Sequence, residues 1–163
     1  AGLAVDEAVA RLNRFLCEKS SASRFVTMFV FTMKSDGRGR YISAGHNPTY
    51  VYRAATREIE ELVSNNMIVG AFPFATYDAA ALELNPGDVL LAYSDGLTEA
   101  ENPRGEMLGE EGVKQVILAQ APSGSKQLEQ KLLETIQNFT AGRSLTDDIT
   151  IILVERVGDS LKP

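Results

Sequence analysis

The sequence predicts an α+β fold in which helices are laid over antiparallel sheet, and three features carry that prediction. The middle of the chain is a succession of short β-branched and aromatic runs divided by turn residues. Helical apolar spacing is confined to one segment at the start and two near the end. A last strand pattern, ITIILVERV, follows those helices. The 163 residues fit one domain with a sizeable core.

Each element has its own signal. Val5, Ala8, Val9, Leu12, Phe15 and Leu16 recur at helical spacing with Asp6 in the first turn, which predicts a helix over 4–19. Cys17 lies in this helix and reads as a small apolar packer, because no local basic partner marks it as a nucleophile. Ser20 to Ser23 is a polar loop. Phe25 to Met33, FVTMFVFTM, reads as a buried strand. The turn Lys34 to Gly39 joins it to a second strand, Arg40 to Ala44, in a hairpin whose loop exceeds the tightest class.

Gly45-His46-Asn47-Pro48 interrupts the sheet, and Thr49 to Arg53 resumes it. A turn at Ala54 to Arg57 leads to a short strand at Glu58 to Leu62. Val63 to Asp78, with Asn65-Asn66, Gly70, Pro73 and scattered apolar residues, is mainly loop with room for short strand pieces. Ala80 to Leu84 is a strand leading into the turn Pro86-Gly87-Asp88. Val89 to Tyr93 is a continuous apolar run that suits a strand covered on both faces, although a buried helix segment shares that periodicity. Val113, Val116 and Ile117 predict a helix over 110–120, which Ala121-Pro122-Ser123-Gly124 breaks. Leu128, Leu132, Ile136 and Phe139 predict a second over 125–139. Gly142 to Thr146 is a loop, Ile149 to Val157 the last strand, and 158–163 a polar tail.

Composition narrows the function. A formal charge of -6 and a pI of about 4.9 argue against nucleic acid or an anionic membrane as the main partner. They are compatible with a cation-binding acidic site. One cysteine excludes an intramolecular disulfide and a multi-cysteine zinc site, and it suits a reducing, cytoplasmic setting. No apolar run approaches the length of a membrane span, and the acids near the start do not suit a secretory signal. The chain begins without Met and enters a helix pattern almost at once, so the expectation is a piece of something longer.

Two carboxylate positions stand apart. Asp95 follows the buried run Val89 to Tyr93 and precedes Gly96, which permits a sharp turn or a close backbone approach. Asp147-Asp148 precedes the last strand. If those two strands are adjacent and antiparallel, Asp95 and Asp147 converge on one rim. Crowded carboxylates repel, and a divalent cation relieves the repulsion. With a single histidine, His46, and no cysteine cluster, oxygen ligation favours magnesium or manganese. A metal site of this kind activates water without a protein nucleophile. The bland reading is an ordinary Asp-Gly turn and solvated surface acids, which are common. His46 reads as a turn-stabilising residue.

The strings FVTMFVF, YISAGHNPTYVYR, LNPGDVLLAYSDGLTEAEN and LTDDITIILVER resemble the bacterial SpoIIE/RsbU branch of the metal-dependent (PPM) serine/threonine protein phosphatases. The resemblance runs from about Leu12 to Arg156 with the motifs in family order. It implies an α-β-β-α sandwich of antiparallel sheets flanked by helices. It implies a binuclear Mn2+ or Mg2+ centre whose activated water attacks a phosphoserine or phosphothreonine. The aspartate of the SDG motif carries onto Asp95 and that of the final motif onto Asp147, with Asp148 as second choice. Gly96 would shape the loop beside the metals, and His46 and Asn47 would be structural.

The family's N-terminal strand, with its metal-ligating Asp and a Gly-His-Gly turn, has no counterpart in this sequence. The expectation is therefore a single partial phosphatase domain over 1–157, lacking its N-terminal strands, with weak metal binding and little or no turnover. The resemblance implies a phosphorylated STAS-type anti-sigma-factor antagonist as partner, a sensor or receiver domain upstream, and sheet edges that invite a homodimer. The other reading is a non-catalytic module that uses the same fold to hold a regulatory partner.

Overall fold

The computed structural model describes residues 4–19 and 24–158. The polar loop expected at Ser20 to Ser23, and all but the first residue of the polar tail, lie outside the described residues. In chain order the elements are α1 (Val5–Lys19), β1 (Met28–Met33), β2 (Arg38–Ala44), β3 (Thr49–Arg53), β4 (Glu58–Leu62), β5 (Ala80–Glu83), β6 (Val89–Tyr93), α2 (Gly109–Gln120), α3 (Ser125–Thr140) and β7 (Ile151–Glu155). Short 3-10 turns occupy Asp95–Leu97 and Ala121–Ser123. No helix among the described residues is long and apolar enough to cross a membrane.

The strands form two sheets, ordered β1-β2-β5 and β4-β3-β6-β7. The chain divides into two compact units, one drawn from Ala1–Pro48 and Leu62–Glu83, the other from Thr49–Glu61 and Leu84–Pro163.

In the first unit β1 and β2 form the expected hairpin, with Met28 opposite Ala44 and Met33 opposite Gly39. The first strand is shorter than its composition predicts. Val26 makes an isolated bridge to Val69 instead of joining the ladder with β2. Val9 of α1 packs with Ile42, Ala44, Val69 and Tyr77 in the core. Asn13, 1% exposed, organises part of the 63–78 segment, which the sequence reads as mainly loop. Its Oδ1 accepts from the Gly70 N–H at 2.7 Å and the Tyr77 hydroxyl at 3.1 Å, and its Nδ2 donates to the Phe72 carbonyl at 3.0 Å. Three backbone and hydroxyl groups with no sheet partner are thus satisfied from one helix position.

In the second unit Tyr50, Tyr52, Val89, Leu91 and Tyr93 alternate along β3 and β6 and meet Val113, Ile117, Leu128, Leu132 and Ile136 of the helices. Val51 and Leu90, on the opposite face, are also fully buried, as the continuous apolar run predicts. Asp88 closes the turn before β6. Its carboxylate takes the Ala54 N–H at 2.9 Å, the Asn85 N–H at 2.9 Å and the Arg53 guanidinium at 2.7 Å. Glu155 of β7 accepts from the Ser125 N–H and hydroxyl at 2.8 and 2.7 Å, which satisfies the start of α3. β7 itself is shorter than the predicted 149–157 strand.

Candidate functional site

The antiparallel pairing of β6 with β7 sets Tyr93 opposite Ile151, so the end of one strand lies beside the start of the other. The contact continues past the last paired residues. Ser94 N–H donates to the Thr150 carbonyl at 3.0 Å. The Ser94 hydroxyl donates to the Asp148 carbonyl at 3.0 Å and accepts from the Thr150 N–H at 2.8 Å.

Asp95 then opens the 3-10 turn. Its carbonyl accepts from the Thr98 and Glu99 N–H groups, each at 2.9 Å, and from the Thr98 hydroxyl at 3.0 Å. Its carboxylate accepts from the Gly96 N–H at 3.1 Å. Gly96 is buried against the second loop: a Cβ placed on it would lie 2.6 Å from the Asp148 carbonyl oxygen and 3.4 Å from that of Asp147. Only a residue without a side chain lets the two backbones come this close. The Asp147 carboxylate accepts from the Asp148 N–H at 2.7 Å.

The structure therefore brings Asp95, Asp147 and Asp148 to one sheet end, all three exposed to solvent beside the buried Gly96 and Leu97. His46 and Asn47 sit in the connection between β2 and β3, partly buried, in the other unit. There Gly45 N–H donates to the Ser64 hydroxyl at 2.7 Å. Ser94 and Thr150 are residues that the sequence reading passed over. Their signal is slight, a hydroxyl at each strand end within two residues of an acid, and turns carry such residues routinely.

In kind, these donors suit a hard divalent cation: carboxylate and carbonyl oxygens on two loops that touch. In number they fall short, since no group of three or more His, Cys, Asp or Glu residues is gathered as a metal cage among the described residues.

Residues 1–157 match the profile of the family Stage II sporulation protein E (SpoIIE). The chain belongs to the SpoIIE family. Protein IcfG of Synechocystis sp. (strain ATCC 27184 / PCC 6803 / Kazusa) is 30% identical over 151 residues, covering 91% of this chain and 24% of that protein. Phosphoserine phosphatase RsbU of Bacillus subtilis (strain 168) is 26% identical over 159 residues, covering 95% of this chain and 46% of RsbU. The chain thus spans a quarter to a half of the length of these relatives.

Among solved structures, the SiaA-PP2C domain of Pseudomonas aeruginosa superposes with a TM-score of 0.78 at 16% identity, over 92% of this chain and 60% of that one. That likeness shows the fold: two antiparallel sheets with helices, the PP2C architecture that the motifs imply. The family membership rests on the match that spans both SDGLTE and DDIT.

Proposed function

We propose that this chain is part of a serine/threonine protein phosphatase that removes phosphate from phosphoserine or phosphothreonine in a bacterial partner-switching regulator. The observation that carries the reading is the close approach of Gly96 to Asp148, which sets two acidic loops of a SpoIIE-family chain side by side. Asp95 and Asp147 would hold Mn2+ or Mg2+, binuclear as the resemblance implies, with Asp148 the second choice for the later position. A cation there would supply Lewis acidity, acidifying water and polarising a phosphoryl oxygen.

The chain's own residues prepare the ligands. The Gly96 N–H orients the Asp95 carboxylate, and the Asp148 N–H orients that of Asp147. Carboxylates oriented by such bonds present their free oxygens to a cation. Two acids on touching loops are part of a ligand set, so metal binding by this chain is weak and its turnover slow. A phosphorylated STAS-type anti-sigma-factor antagonist is the proposed substrate, in the cytoplasm, with a sensor or receiver domain upstream in the parent protein. β7 lies at an edge of its sheet, which suits pairing with a second copy.

The test is phosphate release from a phosphoserine peptide and from p-nitrophenyl phosphate with Mn2+. Slow release that depends on Mn2+ and disappears in Asp95→Asn supports the phosphatase. Tight capture of a phosphorylated STAS-type protein with no release supports the second reading, a binding module. The absence of a three-acid group among the described residues favours that second reading.

A further inference from the structure

We infer that Ser94 is a positioning residue: its hydroxyl fixes the Asp147-Asp148 loop against Asp95 and so sets the geometry in which the two loops receive a divalent cation. The inference rests on the ligand roles proposed for Asp95 and Asp147. A serine hydroxyl can donate and accept at once. Here both capacities go to one short segment, donation to the Asp148 carbonyl at 3.0 Å and acceptance from the Thr150 N–H at 2.8 Å. The Ser94 N–H adds a third bond, to the Thr150 carbonyl at 3.0 Å. Residues 148–150 are thus tied at three points to a single residue.

That residue is the chain neighbour of Asp95. Any slip of the 148–150 backbone past Ser94 is therefore a slip of Asp147 past Asp95. A fixed register matters here, because ligands on two loops serve one cation only while their partners hold their orientation. Gly96 allows the close approach, but a glycine makes no side-chain bond and cannot fix the register. Alanine at position 94 would keep the backbone bond and leave the Thr150 N–H and the Asp148 carbonyl without this partner. Threonine would keep the hydroxyl. Cysteine would keep the volume and lose most of the bonding, which makes it a second test if the alanine variant folds poorly.

The experiment is a Mn2+ titration of the 15N-labelled chain. Paramagnetic broadening of the amide signals at 94–98 and 146–150 gives the affinity, and hydrogen exchange of the Thr150 amide is measured on the same samples. Ser94→Ala and Ser94→Cys are expected to speed exchange at Thr150 and weaken Mn2+ affinity about tenfold, as loss of a ligand-orienting partner does. Ser94→Thr is expected to stay within about twofold of the parent chain because the orienting hydroxyl is retained. Faster exchange at Thr150 with Mn2+ affinity unchanged, while Asp95→Asn still weakens it, would overturn the positioning role and leave the ligands standing. A titration that Asp95→Asn does not alter would overturn the ligand reading and this inference with it.

Discussion

Gly96 and Asp148 meet at a distance that admits no side chain, since a Cβ on Gly96 would sit 2.6 Å from the Asp148 carbonyl oxygen. The obstacle is backbone, not a flexible side-chain tip, so the loop itself must move to make room. Gly96→Ala is expected to destabilise the fold by about 1–3 kcal/mol, the usual range for overpacking. A lower urea midpoint with an unchanged m-value would report it. An unchanged midpoint would mean that the two loops are apart in solution.

Asn13 is buried and serves the Gly70 N–H, the Tyr77 hydroxyl and the Phe72 carbonyl. Asn13→Ala takes the acceptor from the Gly70 N–H without filling the space, while the Phe72 carbonyl keeps the Ala75 N–H and the Tyr77 hydroxyl keeps the Ile68 carbonyl. The expected cost is about 1–3 kcal/mol, from one unsatisfied buried donor. Proteolysis should also cut the 68–77 loop sooner than in the parent chain. Unaltered cleavage there would show that the loop holds itself.

Asp88 is buried with a side chain 2% exposed, against 21% for its partner Arg53. Asp88→Ala removes the acceptor of two backbone N–H groups and takes one carboxylate from the partly buried Arg53 guanidinium, which keeps its bonds to Glu60. A loss of about 3 kcal/mol is expected, as for breaking a buried pair from one side. Asp88→Asn should cost less, because one acceptor oxygen survives. Equal denaturation midpoints for Asp88→Ala and the parent chain would contradict this.

Alkaline pH should act through the buried tyrosines. Burial pushes the Tyr50 phenol up from its usual value, reinforced by the bond from Tyr93 and by the charges of Tyr93, Glu110 and Glu61. Tyr77 is raised by burial and then by Cys17. An unfolded tyrosine loses its proton near pH ~10, while these two keep theirs in the fold. Above that pH the unfolded state binds fewer protons, so stability is fully present below it and falls as pH rises beyond it. Of the five tyrosines, Tyr50 and Tyr77 should ionise only as the chain unfolds, followed at 295 nm beside circular dichroism. Ionisation of all five with the native spectrum intact would refute it.

Much of the architecture is legible in the residues, for identifiable reasons. β3 and β6 fall where predicted because turn residues bracket compact apolar or β-branched runs, and β4, which is EIEEL, because the turn at 54–57 marks its start. β1 starts later than its composition suggests, since composition does not encode that Val26 pairs with Val69. The 63–78 segment is illegible locally. Its order comes from Asn13, Asn65 and Asn66, whose side chains bond backbone groups far along the chain. Asp95 and Asp147 stand out as strand-end acids, but their approach depends on β6 pairing with β7, a long-range fact. Ser94 looks like any turn serine until its two partners are seen across that pairing.

In the proposed site Asp95 and Asp147 jointly hold a divalent cation. Calorimetric titration of the chain with Mn2+, beside Asp95→Asn, Asp147→Asn and Asp148→Asn, separates that site from solvated surface acids. Weak binding is expected, reduced at least about tenfold by either of the first two substitutions, since each replaces a proposed carboxylate ligand with a neutral amide. Asp148→Asn should matter less. Equal Mn2+ affinity in all four proteins would contradict the claim and return these acids to the solvated surface.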